Sequence, residues 1–315
     1  MGTNFAKYTN FTHKNKIMLR IFNTILFAAI LWVPVEAQLP KSNIYLFEVK
    51  QVSDSAYNFN NAKWLTYFNE SGYNNQPAFF SPTQLYISVQ TPKDSQTDLY
   101  MLDLSTNTKV KVTETPEGEF SAQRMLDYYS FSAIRQEYTG RDTLLRLWQF
   151  PIDRLSKGQP VFKYLTNVGY YYWLNGTEVA VCIVDNPNYL AIANTRTDEV
   201  TPLATNVGRC FQKLPNGNLV YVQKGEYSDN WYLLEKNLYH PEQQPRTIIE
   251  TLKGCEDFAL FPDGTFVMGR GSKLFKFNQF TDEDWVEIAD LRYYDIRNIS
   301  RLAISPDFKI AIVAD

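Results

Sequence analysis

The tetrapeptide TNVG occurs at Thr166–Gly169 and again at Thr205–Gly208, and both copies lead into similar text. The first continues TNVGYYYWLNGTEVAV and the second TNVGRCFQKLPNGNLVYV. In each, bulky residues run to a leucine, an Asn-Gly turn follows, and an alternating apolar run comes next. A repeat of about 40 residues constrains a fold strongly, because each unit must bury its apolar face against its neighbour.

The turn has relatives along the chain. FFSPTQLYISV (Phe79–Val89), LFPDGTFVM (Leu260–Met268) and AISPDFKIAIV (Ala303–Val313) place Pro82, Pro262 and Pro306 where the TNVG copies place Asn175 and Pro215. The interval between Pro82 and Asn175 is twice the others. RMLDYYSFSAI (Arg124–Ile134) fills it, with Leu126-Asp127 standing for the proline turn. Each unit then reads as a short strand, a tight turn, an alternating strand, a polar loop and a third strand such as DLYMLDL (Asp98–Leu104), YLAIANT (Tyr189–Thr195) or KLFKFNQF (Lys273–Phe280). A poorer fourth strand ends each unit in threonine-rich text. Four antiparallel strands repeated radially predict an all-β fold, a six-bladed β-propeller.

The ends of the chain fit that ring. The last unit stops at Asp315 after two strands, and NIYLFEVKQ (Asn43–Gln51) and AKWLTYF (Ala62–Phe68) supply the two that it lacks. Pairing them would remove the exposed sheet edges.

Ahead of the repeats, Lys14, Lys16 and Arg20 precede an apolar run from Ile21 to Val33, and Val35-Glu36-Ala37 ends it. The run is too short to span a bilayer and reads as a secretory signal, residues 1–37, cut after Ala37, with Met1 or Met18 as the start. Residues 38–315 are then a single propeller domain, periplasmic or secreted and not membrane-spanning. Cleavage removes four Lys/Arg and one Glu and moves the formal charge from −3 to −6. No basic footprint for nucleic acid exists. Cys182, Cys210 and Cys255 are too few for a disulfide scaffold. Cys210 and Cys255 could pair, but the three read better as buried thiols. Asn10, Asn69, Asn175 and Asn298 begin Asn-x-Ser/Thr tripeptides, which matter only in a eukaryotic host.

The stretch QPAFFSPTQLYISVQTPKDSQTDLYMLDLSTNTKVKVTET (Gln76–Thr115) resembles the WD-like repeat of the TolB-type propeller family, with Pro77, Phe80, Ser81, Pro82, Tyr100, Met101, Asp103 and Thr113 at its motif positions. FPDG (Phe261–Gly264) and SPDF (Ser305–Phe308) repeat the turn. The resemblance implies the fold and a protein partner. The segment between Ala37 and the first strand is too short for the α/β domain that family carries, so its Tol–Pal transport role is not expected.

Enzymatic chemistry finds little support in the residues. His240, in LYHPEQQP (Leu238–Pro245), is the sole histidine after the signal, which leaves no histidine-rich metal site, and no Gly-x-Ser-x-Gly elbow occurs. The carboxylates Glu256, Asp257, Asp127 and Asp185 read as turn caps rather than as a convergent pair. TDEDW (Thr281–Trp285) lacks calcium-loop spacing and reads as a solvated loop. GYYYWL (Gly169–Leu174), Tyr128-Tyr129 and Tyr293-Tyr294 could offer sugar-stacking platforms, but most of this aromatic content reads as core. Residues just inside each blade boundary should ring the central funnel: Gln76, Gln123, Tyr170, Arg209, Asp257 and Arg301. That polar ring suits peptide or glycan hydrogen bonding. The expectation is a non-enzymatic module without cofactor or metal that binds another envelope or secreted protein. The alternative is a carbohydrate-binding or carbohydrate-active propeller built around Tyr170.

Overall fold

The computed structural model describes residues 38–315 apart from 54, 55, 155, 227 and 229, so the expected signal segment and Asn10 lie outside the described residues. Every element below belongs to the unit Leu39–Asp315. The chain opens with β1 (Asn43–Gln51) and β2 (Tyr57–Trp64). Blade 1 follows as β3 (Tyr73–Ser81), β4 (Gln84–Gln90), β5 (Asp98–Asp103) and β6 (Thr108–Lys111). Blade 2 is β7 (Gly118–Arg124), β8 (Ser130–Tyr138), β9 (Thr143–Pro151) and β10 (Gln159–Pro160). Blade 3 is β11 (Val168–Trp173), β12 (Glu178–Ile183), β13 (Tyr189–Asn194) and β14 (Val200–Thr205). Blade 4 is β15 (Val207–Lys213), β16 (Leu219–Gln223), β17 (Tyr232–Lys236) and β18 (Arg246–Glu250). Blade 5 is β19 (Ala259–Leu260), β20 (Phe266–Arg270), β21 (Lys273–Phe277) and β22 (Val286–Asp290). The chain ends in β23 (Ile299–Ile304) and β24 (Lys309–Ala314).

Each blade is a four-stranded antiparallel sheet, and the sixth has the order β2-β1-β24-β23. β1 pairs with β24 from Asn43↔Ala314 to Glu48↔Lys309, so the two ends of the ring share one sheet. The TNVG copies lie at the junctions of blades 2–3 and 3–4. The second N-terminal strand differs from the sequence reading: it is Tyr57–Trp64, and Tyr67–Asn69 is a 3-10 turn. β2 forms an outer edge with mostly exposed side chains, so apolar alternation does not mark it. Leu65 and Phe68, which suggested a strand, pack instead into the seam with blade 1.

Why the turns carry Pro, Asn and Asp is visible atom by atom. Asp127 Oδ1 accepts the amides of Tyr129 and Ser130, both at 2.9 Å. Asn175 Oδ1 takes those of Thr177 and Glu178, again at 2.9 Å. Asn216, Asp263 and Ser305 do the same for Asn218, Thr265 and Lys309 at 2.9 Å, and Ser81 Oγ takes the Gln84 amide at 3.1 Å. Each side chain thus satisfies backbone donors that the tight turn leaves unpaired. Asp127 is therefore a turn cap.

The second strand of each blade is buried on both faces, not one. β12 runs Glu178–Ile183 with everything after Glu178 buried, and β24 repeats the pattern. The reason is that neighbouring blades cover both faces, as helices do in a parallel sheet. The apolar side chains gather as six clusters among the described residues, one per seam. Phe47, Val267, Leu274 and Ile310 join blade 5 to the closing blade. Ile44, Leu85, Ile87 and Val313 join it to blade 1. The remaining clusters lie between blades 1–2, 2–3, 3–4 and 4–5.

A polar seam accompanies the apolar one at the closure. Asn69 is buried, and its Nδ2 donates to Asn74 Oδ1 at 3.1 Å and to the Gln90 carbonyl at 3.2 Å. Asn74 Nδ2 donates to the Ser42 carbonyl at 2.8 Å. A Cβ on Gly72 would meet Asn69 side-chain atoms at 2.4 and 2.5 Å, so only glycine fits there. Asn69 is thus a structural asparagine, whereas Asn175 and Asn298 are exposed.

Phe47, fully buried in the cluster that closes the ring, should be costly to truncate. Phe47→Ala is expected to lower unfolding free energy by about 3–5 kcal/mol. Urea titration tests this; a loss under about 1 kcal/mol would mean that the closing seam contributes little.

Candidate functional site

The inner strands of the six blades surround a cavity of about 470 Å³. Gln76, Gln123, Tyr170, Arg209, Asp257 and Arg301 all line it, each from a different blade. Bulges help to turn these side chains inward. The pairing of the inner strand shifts between Asn75 and Ala78, Phe120 and Gln123, Val168 and Tyr170, Val207 and Phe211, and Ile299 and Arg301. A bulge re-aims the side chains beside it. At Gln76 and Ser121 the backbone even adopts φ of 53° and 56°, in the left-handed region.

Most of these polar groups tie neighbouring blades together. Gln76 Oε1 accepts the Ser121 amide at 3.2 Å, and Arg124 Nη1 donates to the Phe80 carbonyl at 2.8 Å, both between blades 1 and 2. Gln123 Nε2 donates to the Tyr171 carbonyl at 2.7 Å while the Tyr171 hydroxyl donates to Ser121 O at 2.8 Å. Lys213 Nζ reaches the Leu174 carbonyl at 3.1 Å across the next seam. Gln212 Nε2 donates to Phe258 O at 2.9 Å between blades 4 and 5. Lys309 Nζ donates to Pro82 O at 3.0 Å where the ring closes.

Arg209 and Asp257 carry this belt across three blades. Arg209 Nε lies 3.4 Å from Asp257 Oδ2, its Nη1 lies 3.5 Å from Glu256 Oε1, and its Nη2 donates to Ser300 O at 2.8 Å. Asp257 Oδ1 accepts the Leu302 amide at 3.2 Å. Burial pushes the Asp257 carboxyl above its usual range, with the Arg301 and Arg209 charges opposing that rise. Glu256 is also pushed up by burial, but the Lys224 hydrogen bond and the charges of Arg209 and Lys224 outweigh it and hold the group below its usual range.

Arg301 is less committed. Its Nε stands 3.8 Å from Asp257 Oδ2, beyond hydrogen-bond reach, and has no hydrogen-bond partner among the described residues. The guanidinium sits 5.6 Å from the Tyr170 ring centre, in the range of a cation–π contact. Two further cavity-lining atoms share its state. Ser121 Oγ and Arg124 Nε are buried without partners. Neither was marked by the sequence reading, because unmet hydrogen-bonding capacity depends on what neighbouring blades offer.

The other sequence candidates fall elsewhere. Asp185 is exposed in the loop after β12, where Oδ1 takes the Asn186 amide at 2.8 Å. His240 is exposed in the β17–β18 loop with Glu242 at 3.4 Å. In TDEDW, Asp282 is not a solvated loop residue: it pairs at 2.8 Å with Lys276, both nearly buried. Tyr171 and Trp173 are buried as core. Tyr128, Tyr129 and Tyr293 stand exposed. Cys182, Cys210 and Cys255 are unpaired. Cys210 Sγ donates to the Phe258 carbonyl at 3.1 Å, and burial pushes its thiol up to about 12. Among the described residues no helix is long and apolar enough to cross a membrane.

No protein-family model matches the chain, and no curated protein matches it. Among solved structures it is similar to a TolB-type protein from Agrobacterium tumefaciens, with a TM-score of 0.61 and 13% identity over 87% of this chain and 98% of that one. TolB from Acinetobacter baumannii gives 0.53 and 11% over 87% of this chain, which spans 64% of that protein's length. Oligogalacturonate lyase from Vibrio parahaemolyticus gives 0.52 and 12% over 82% and 83%. At these identities the likeness is one of fold, and the chain shares the six-bladed propeller architecture of these proteins.

Removing the charge of Asp257 should leave Arg301 without its carboxylate and Arg209 with Glu256 alone. Asp257→Asn is expected to cost about 3–5 kcal/mol of unfolding free energy; an unchanged urea midpoint would show that the belt is dispensable. Because Glu256 titrates below its usual range in the folded state, its contribution is present above the ordinary glutamate range and is lost as pH falls through the folded value. Glu256→Gln should therefore flatten the loss of stability between about pH 6 and about pH 3, measured by denaturant titration at stepped pH.

Proposed function

We propose that this propeller is an exported, non-enzymatic binding module and that its partner, another envelope or secreted protein, engages the central cavity. The observation that carries this reading is the contrast among cavity-lining groups. Gln123, Arg209 and Asp257 are held by hydrogen bonds across blades, while Arg301 Nε, Ser121 Oγ and Arg124 Nε are desolvated yet unpaired. Buried polar groups are normally satisfied, and a group of exceptions lining one cavity is what a ligand would complete.

Carboxylate chemistry on a glycan is a weaker reading. Glycoside hydrolysis needs two carboxyl groups placed across the substrate. Asp257 is the cavity-lining carboxylate, and two guanidiniums flank it. Its neighbour Glu256 is bound by Lys224 and Arg209. The fold likeness to TolB proteins supports a protein partner, and their fold is equally compatible with other activities.

An affinity capture with residues 38–315 from the source organism's envelope extract, read by mass spectrometry, tests this. One protein recovered stoichiometrically and lost with Tyr170→Ala is the expected result. Recovery that is indifferent to Tyr170→Ala, or no protein at all, would overturn the reading and turn attention to glycans.

A further inference from the structure

The cavity wall carries three arginines, Arg124, Arg209 and Arg301, against one carboxylate, Asp257. The chain as a whole is net negative, at −3. A cationic lining inside an acidic protein is a local property, and a low-dielectric funnel concentrates its field. Whether Asp257 is ionised or neutral, the wall stays cationic.

The arginines differ in what they have left to offer. Arg209 is engaged by Asp257, Glu256 and Ser300 O. Arg301 has its Nε unpaired on a side chain only 16% exposed, with Tyr170 against its guanidinium. Arg124 reaches Phe80 O with Nη1 and stacks 4.7 Å from the Tyr128 ring centre, and its Nε is likewise unpaired. Arg301 lies early in its inner strand and Arg124 at the end of its own. Because the inner strands repeat in one direction around the ring, the two stand at different depths in the channel. Planar guanidiniums with free N–H groups match carboxylates best.

Building on the binding reading above, we infer that the channel takes an acidic peptide segment, seating one carboxylate on Arg301 beside Tyr170 and a second toward Arg124, with Ser121 Oγ between them. An acidic sugar chain would need an open ring face for stacking. Tyr170 presents its face to Arg301, Tyr171 and Trp173 are buried, and Phe79 and Tyr172 pack into the seams. A peptide needs no such platform. The Asp257 carboxyl holds Arg209 in place and is a positioning group, not a contact.

The probe is a capped hexapeptide of alternating glutamate and serine, titrated calorimetrically against residues 38–315. Its counterpart with glutamine at each glutamate and a hexagalacturonate are run in parallel. The glutamate peptide is expected to bind at least about tenfold tighter than the glutamine peptide, and to weaken as salt rises from about 50 to about 500 mM. Arg301→Gln should weaken it by about tenfold or more, and Arg301→Lys should restore part of the loss while still lacking the bidentate fork. The inference falls if the two peptides bind alike, if neither binds, if Arg301→Gln leaves affinity unchanged, or if hexagalacturonate alone binds. A captured protein partner lost with Tyr170→Ala but retained with Arg301→Gln would sink the acidic-peptide inference while leaving the binding module intact. Circular dichroism and urea midpoints of the variants separate lost binding from lost folding.

Discussion

The pairing of β1 with β24 is the constraint on which the rest of the molecule depends. A ring of sheets has no independent unit: each blade buries both faces against neighbours, so an open seam would expose two apolar surfaces at once. Here the closing blade buries Phe47, Ile310 and Ile312 against blade 5 and Ile44 against blade 1, all four fully. The Ser42–Asn69–Asn74 network lines the adjoining seam with blade 1 and consists of bonds 32 and 5 residues apart in sequence. The β1–β24 pairing itself is non-local, joining the first strand to the last. It aligns the two ends of the chain in register and so places the last inner strand, β23, between β19 of blade 5 and β3 of blade 1.

That closure explains why the channel wall is mostly a structural belt. Apolar clusters hold the blades apart at their faces, while the inner strands, at the narrowest radius, are tied by side chains reaching into the next blade's backbone. Arg124→Phe80 O, Gln123→Tyr171 O, Lys213→Leu174 O, Gln212→Phe258 O and Lys309→Pro82 O all follow this scheme. Between blades 4, 5 and the closing one the tie is ionic, through Arg209 and Asp257. A buried pair of this kind adds little net stability on its own but penalises loss of either partner. The bulges in the inner strands make the scheme possible by rotating side chains out of the strict alternation of a strand.

Periodicity made the ring legible in the sequence, because turn chemistry is local. A side-chain oxygen caps the turn in each of the six units, Oγ of Ser81 or Ser305 and Oδ1 of Asp127, Asn175, Asn216 or Asp263, and Asp127 does so in a unit whose proline is missing. The six funnel positions were readable for the same reason: equivalent places in a repeat occupy equivalent places in space. What stayed hidden was relational. β2 carries too little apolar pattern to announce itself, since one of its edges and most of its side chains face solvent. The double burial of β12 and β24 comes from neighbouring blades that no local window contains. Asp282 looks like a loop aspartate until Lys276 is seen beneath it.

The same distinction bears on which channel residues can recognise a ligand. Sequence position puts Gln76, Gln123, Tyr170, Arg209, Asp257 and Arg301 on an equal footing, and their types suggest six comparable contacts. The hydrogen bonds divide them. Gln76, Gln123, Arg209 and Asp257 answer to neighbouring blades, so substituting them disturbs the ring before it disturbs any ligand. Arg301 stacks on Tyr170, keeps an N–H free of hydrogen bonds and meets Asp257 only at 3.8 Å, so its tie to the next blade is ionic and long. A carboxylate placed at Arg301 would add a charge-assisted hydrogen bond beside the 3.8 Å Asp257 pairing and leave the hydrogen bonds between blades intact. On the binding reading proposed above, recognition falls to the groups that closure leaves over.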